Sequence, residues 1–275
     1  MAAADLLVVI FDPLLKWTVP TYFPESFLFI TSMCFLISFM KFAATVLSVW
    51  LTVAFTFDRF VAICCDKLKT KYCTKKTAAV VVGTVSVLAC LVSLPLYFSQ
   101  ESRYIIDNVA RGCAYKPSFF TSPAWVAFEL SYYILTPCVP FVLMLLLNVL
   151  TVRRIVVSIK IRRELRGRSK GENHKDLEME SRKKSIILLF SISSSFILLW
   201  ATRVLYVIYR RITDIRSYHP GPDPRRDVDH SSVMLQVLSS CTNTCIYAVT
   251  QTKFRQELKN AVQYPFNLIV KLVKS

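Results

Sequence analysis

Lys41 and Arg203 carry the sharpest chemistry in this 275-residue chain, because each is a cation set inside a long apolar run, SFMKFAATV and LLWATRVLYV. Hydrocarbon cannot solvate an ammonium or a guanidinium, so both must face protein or water, and such buried cations pair internally or mark a binding site or ion path. Glu129 is the expected internal partner. Two cations against one carboxylate would leave the region net positive and suited to a ligand with a carboxylate or another anionic group, with Phe42, Thr45, Tyr132, Tyr133 and Tyr206 completing the expected pocket. A second constellation, Asp58 beside Arg59, is an acid-base couple at the far end of the apolar run that holds Lys41. Enzyme chemistry has no comparable signature. His174, His219 and His230 lack zinc spacing, and no Gly-rich phosphate loop or Ser-His-Asp set is present.

These residues need rigid elements of membrane length to hold them. Thr31 to Cys65 is one such stretch: on a helix, Cys34 and Arg59 lie roughly 37 Å apart, close to the depth of a bilayer with part of its headgroups. Lys41, Thr45, Ser48 and Thr52 recur at steps of four, three and four, so one helical face is polar and the rest is greasy. Further spans are expected over Thr77 to Phe98, Ala124 to Val157, Ser185 to Tyr209 and Ser231 to Val249. Pro137 and Pro140 should kink the third of these runs. Residues 1 to 11 read as the outer part of a helix, followed by a loop with Pro13, Pro20 and Pro24. The outer loop from Thr213 to His230 reads as irregular, the charged extension after Val157 as helical up to a flexible stretch at Gly167 to His174, and Phe254, Leu258 and Ala261 as one face of a short helix along the inner membrane surface.

Composition agrees: the chain is 54% hydrophobic despite 34 lysines and arginines, as a polytopic membrane protein is. The net charge of +16 does not point to nucleic acid, because the basic residues alternate between sides. They concentrate in Lys67 to Lys76, in Arg153 to Lys184 and in the tail, which places those segments in the cytoplasm and Cys34 outside. Of the nine cysteines, Cys34 and Cys113 are the two on the oxidising side and form the one plausible pair.

In order along the chain, these features resemble the rhodopsin-like (class A) G-protein-coupled receptors. Asp58-Arg59-Phe60 is similar to that family's Asp-Arg-Tyr motif, with Cys34 at the place of its third-helix cysteine. Asp5 resembles the second-helix aspartate, Pro140 the fifth-helix proline, Phe196 with Trp200 the sixth-helix aromatic switch, and Asn243 to Tyr247 the Asn-Pro-x-x-Tyr motif. The departures are Phe60 for Tyr, Asn148 for the fifth-helix Tyr, and Thr202 and Thr244 at two proline positions. Within the class, LLWATRVLYVIY, Asn148 and LRGRSKG are most similar to the orphan-type brain receptors that respond to aromatic amino acids and to their fish relatives.

The resemblance implies an all-α transmembrane bundle of the seven-helix type that lacks helix one and the inner half of helix two, as a truncated form would. It implies a receptor domain over 1–250 and a cytoplasmic amphipathic helix and tail over 251–275. It also implies a plasma-membrane receptor that binds an extracellular ligand and activates a heterotrimeric G protein of Gq type, with membrane lipids as its other partners and no enzymatic cofactor. Asp58 and Arg59 would latch, Phe196, Trp200, Asn243 and Tyr247 would switch, Arg59 and Leu68 would meet the G protein, and Asp5, Ser48, Ser239 and Asn243 would hold a modulating sodium ion. The rival readings are a transporter or channel for an anionic solute, and a receptor remnant that does not signal.

Overall fold

Thr31–Cys64 forms one unbroken helix, α2, and the rest of the bundle is arranged around it in the computed structural model, which describes residues 1–106, 108–166, 173–213, 224–250, 255–257, 259–261 and 263–264. Its apolar window is 56% buried, against 17% for the helix Lys75–Phe98, called α4, so α2 is central and α4 peripheral. A short helix, α3 (Asp66–Tyr72), joins the two on the basic side. Thr74 then caps α4 by accepting a hydrogen bond from the Thr77 backbone N–H. Among the described residues, four helices are long and apolar enough to cross a membrane: α2, α4, the Pro123–Ser158 run and Ile186–Arg210; the expected span Ser231 to Val249 is helical but is not one of them.

The first helix, α1, departs from expectation. Ala2–Val9 continues without a break through a π-helical segment, Ile10–Thr18, into Val19–Tyr22, so no loop opens at Pro13 or Pro20. The reason is local. Pro13 lacks an N–H and its ring would strike the preceding turn, and the wider π ladder makes room for it. The Thr18 hydroxyl then satisfies the Pro13 carbonyl at 2.9 Å. Pro20 falls in the first turn of Val19–Tyr22, where a proline costs little. The same device recurs in α6, built from Pro123–Tyr133, a π segment Ile134–Cys138 around Pro137, and Val139–Arg166. There a distortion at the proline is the expected outcome.

Two further helices complete the bundle: α7 (Asn173–Ile212) and α8 (Pro224–Thr250). Of the irregular loop expected from Thr213 to His230, residues 214–223 lie outside the described residues, and Pro224 to His230 are helical instead, with Pro224, whose fixed φ suits the first helical position, opening α8. Of the flexible stretch expected from Gly167 to His174, residues 167–172 lie outside the described residues and Asn173 and His174 are helical, opening α7; Phe254, Leu258 and the Tyr247 side chain also lie outside what is described. α8 packs on α1 and α7, and α2 packs on α1, α4, α6 and α7. Large side chains such as Leu91, Leu146, Leu198 and Leu205 point outward and are exposed. The interior, by contrast, holds Asp5, Asp12, Ser48, Thr52, Asn148 and Asn243, the reverse of a soluble core and the arrangement a lipid-facing bundle requires.

The loop after α4 is more ordered than the sequence shows. α4 itself continues one turn past Pro95 to Phe98. Two nested antiparallel ladders follow: β1 (Gln100–Glu101) pairs with β4 (Ala114–Tyr115), and β2 (Tyr104–Ile106) pairs with β3 (Val109–Arg111). A short helix, α5 (Pro117–Thr121), leads into α6. The hairpin is pinned to the outer end of α2, where the Gly112 N–H donates to the Phe29 carbonyl at 2.8 Å and the Thr31 hydroxyl donates to the Gly112 carbonyl at 3.0 Å. The Cys34–Cys113 disulfide, with Cα atoms 6.0 Å apart, closes the attachment.

Candidate functional site

Lys41 does not rely on Glu129. It forms an ion pair with Asp12 at 2.7 Å, and the aspartate side chain is fully buried while that of Lys41 is 15% exposed. Asp12 also accepts from Trp17 Nε1 at 3.2 Å, and the Trp17 ring meets His230 of α8 edge-on at 4.4 Å. The π segment of α1 turns Asp12 inward; read as part of a loop, that residue gives no such signal.

Arg203 is engaged from two sides. Its guanidinium donates to Asp229 and, at 3.2 Å, to Ser232 on α8, and to the Tyr133 hydroxyl on α6 at 3.0 Å. It also lies 5.8 Å from the centre of the Tyr206 ring, within reach of a cation–π contact. Arg210, two turns further along α7, donates to Glu129. The expected balance of two cations against one carboxylate is therefore corrected. Three pairs, Lys41 with Asp12, Arg203 with Asp229 and Arg210 with Glu129, lace the outer halves of α1, α2, α6, α7 and α8. Sequence reading missed Asp12, Asp229 and Arg210, because their segments read as loops.

The expected pocket residues do not all share one surface. Tyr133 and Tyr206 flank Arg203. Tyr132 turns into the apolar cluster of Val46, Ala89, Leu96 and Phe119, and Phe42 packs on the same cluster, 5.7 Å from the Tyr132 ring. The Thr45 hydroxyl folds back to the Lys41 carbonyl at 2.8 Å. Thr52 and Thr56 bond back along α2 in the same way. Among these hydroxyls Ser48 differs, reaching across to donate to Asp5 on α1.

Below this layer, a cavity is lined by Val8, Ser48, Trp200, Ser239 and Asn243 among others. Asp5 Oδ2, Ser239 Oγ and Asn243 Oδ1 are buried here without a hydrogen-bond partner among the described residues. Phe196 and Trp200, both buried, stand 5.6 Å apart and pack with Met144 and Val53, and Phe141 closes on Phe196 edge-on at 5.4 Å. Trp200 lies less than one turn from Arg203 on α7, so the polar layer and the aromatic layer share one rod.

At the inner end Arg59 donates to Asp58 at 2.8 Å, each side chain 38% exposed, and its guanidinium lies 5.1 Å from the Phe55 ring. Cys73, exposed at the α3–α4 junction, lies against the couple, and partial desolvation and then the Asp58 carboxylate raise its thiol above the ordinary range. Leu68 is exposed on α3. The arrangement offers a polar layer that can hold a ligand at one end, an exchangeable ion pair at the other, and stacked aromatics between.

The profile of the "7 transmembrane receptor (rhodopsin family)" matches residues 1–247. Among curated proteins, the chain is 24% identical over 258 residues to "Probable G-protein coupled receptor tkr-1" of Caenorhabditis elegans, covering 93% of this chain and 59% of that protein. It is 23% identical over 271 residues to "Rhodopsin, GQ-coupled" of Mizuhopecten yessoensis, covering 97% and 52%. A shorter match, 33% over 102 residues, is to "Neuropeptide receptor 22" of Caenorhabditis elegans, covering 37% and 24%. The chain thus spans less than two thirds of the length of each. With the motifs in order, the disulfide formed and the family profile matched over nearly the whole sequence, the chain belongs to the rhodopsin family of seven-transmembrane receptors.

Proposed function

We propose that the chain acts at the plasma membrane as a receptor that binds a carboxylate-bearing amino acid or peptide from outside and activates a heterotrimeric G protein inside. Cys34, Cys113 and the hairpin face the extracellular side, and the tail faces the cytoplasm. The observation that carries this reading is the position of Arg203: it is held by Asp229, Ser232 and Tyr133, within one turn of Trp200. A ligand carboxylate competing for Arg203 changes what ties α7 to α8 and α6, and the aromatic layer of α7 is the next to feel it. Activation is then a population shift, limited by the ligand's differential affinity for the two arrangements. At the inner end, separation of Arg59 from Asp58 frees the guanidinium for an incoming helix, with Leu68 beside it as an apolar contact.

Resemblance to the receptors for aromatic amino acids supports the ligand class, and likeness to the Gq-coupled rhodopsin of Mizuhopecten yessoensis supports a Gq-type output. Lys41 and Arg203 are each engaged by a carboxylate, which favours a binding site over an anion path. The unpartnered oxygens of Asp5, Ser239 and Asn243, beside Ser48, are hard ligands of the kind a sodium ion takes, so sodium is a modulator of agonist affinity in this reading.

The test is guanine-nucleotide exchange on a Gq-type protein, measured with an acidic agonist. Arg203→Met should shift the dose-response curve at least tenfold to higher concentration. Wild-type potency in both Arg203→Met and Lys41→Met would remove the reading in which these two cations receive the anionic group.

A further inference from the structure

We infer that Lys16 is an anchor for the anionic group of the ligand: among the described residues it is a partly buried cation with no ion pair, directly beneath the disulfide. The inference rests on the ligand class proposed above and adds Lys16 to the residues that receive it. Lys41, Arg203 and Arg210 each hold a carboxylate, respectively Asp12, Asp229 and Glu129. Lys16 is the fourth cation of this layer. Its ammonium donates to the Ser38 hydroxyl at 2.6 Å and otherwise touches sulfur, Cys113 Sγ at 3.3 Å and Cys34 Sγ at 3.8 Å. No carboxylate lies within ion-pair distance of it among the described residues. Asp12 sits one turn away on α1, but it is committed to Lys41 and Trp17.

The chemistry that fits follows from those contacts. An ammonium has three donors, and here one goes to a hydroxyl while the sulfurs are weak acceptors. A half-buried cation with only neutral partners gains more from an incoming carboxylate than Lys41 or Arg203 would, because those must first give up a partner. A single carboxylate therefore matches the place better than a phosphate, which would bring two charges to one.

The full chain in lipid nanodiscs supplies the test, with thermal unfolding as the readout and L-phenylalanine against L-phenylalaninamide as matched probes. Wild type should be stabilised more by the carboxylate than by the amide, and Lys16→Met should abolish that difference while Arg203→Met only reduces it. Lys16→Arg should restore it. Ser38→Asp puts a tethered carboxylate beside the ammonium; it should raise the midpoint without ligand and remove the carboxylate preference. A preference that survives in Lys16→Met, or a Ser38→Asp midpoint below wild type, overturns the assignment to Lys16 while leaving an anionic ligand in place. A wild type that treats the two probes alike overturns the anionic ligand itself.

Discussion

Asp12 shows what one buried carboxylate does in this protein. It is fully buried, accepts from Lys41 and Trp17, and still has one oxygen, Oδ2, without a partner. Removing one member of such a pair leaves the other as an uncompensated buried charge, which costs more than the pair contributes. Asp12→Asn should therefore destabilise the bundle by about 3 kcal/mol or more, whereas the double variant Asp12→Asn with Lys41→Met should recover much of the loss. Unfolding midpoints for the two single variants and the double variant check this, and additive losses would show that the two residues do not couple. The Arg59–Asp58 pair contrasts with it. Both side chains are over a third exposed, so that contact is weak in stability terms and suited to being exchanged.

Among the elements, the hairpin of the outer loop depends on a single glycine. Gly112 has φ +66, a left-handed conformation, and a Cβ there would meet the Phe29 ring at 3.2 Å and Arg103 Cβ at 3.3 Å. Its N–H and carbonyl both bond to the segment entering α2. Gly112→Val combines a strained backbone with a clash at that junction, and the backbone term alone is roughly 1–2 kcal/mol. Faster amide hydrogen exchange in Val109–Arg111, with α2 unchanged, is the expected result. Unaltered exchange in the hairpin would mean that the disulfide alone holds it. The π segments belong to the same scale: each places a proline inside a helix and turns the residues around it, and through the first of them Asp12 and Lys16 come to face α2.

Taken whole, the molecule has α2 packed on α1, α4, α6 and α7, with α8 set on α1 and α7, and its basic residues fall in alternate segments of the sequence. The basic segments Lys67 to Lys76 and Arg153 to Lys184 predict a cytoplasmic face opposite the disulfide. Cys73, exposed at the junction of α3 and α4, reports on this directly. A membrane-impermeant maleimide should label Cys73 only after cells are permeabilised, with the increment absent in Cys73→Ala. Labelling in intact cells would invert the topology and with it the direction of signalling.

How much of this was legible before folding follows from the range of each signal. Span positions, the central place of Thr31 to Cys65, the buried cations and the Cys34–Cys113 pair are fixed by runs of apolar residues and by which side of the bilayer a segment occupies, and both are local or summed quantities. The choice of counter-ions is neither. Lys41 with Asp12, Arg203 with Asp229 and Arg210 with Glu129 join residues 29, 26 and 81 positions apart, and each pairing depends on how two helices are rotated against one another. Prolines and charges made the ends of α1 and α8 look like loops, and packing overrode them: a π ladder absorbed Pro13, and Pro224 became the start of a helix. The chain by itself determined that cations are buried in a membrane bundle; only the tertiary structure decided which of them, among the described residues, meets a carboxylate, because that depends on how the helices are rotated against one another.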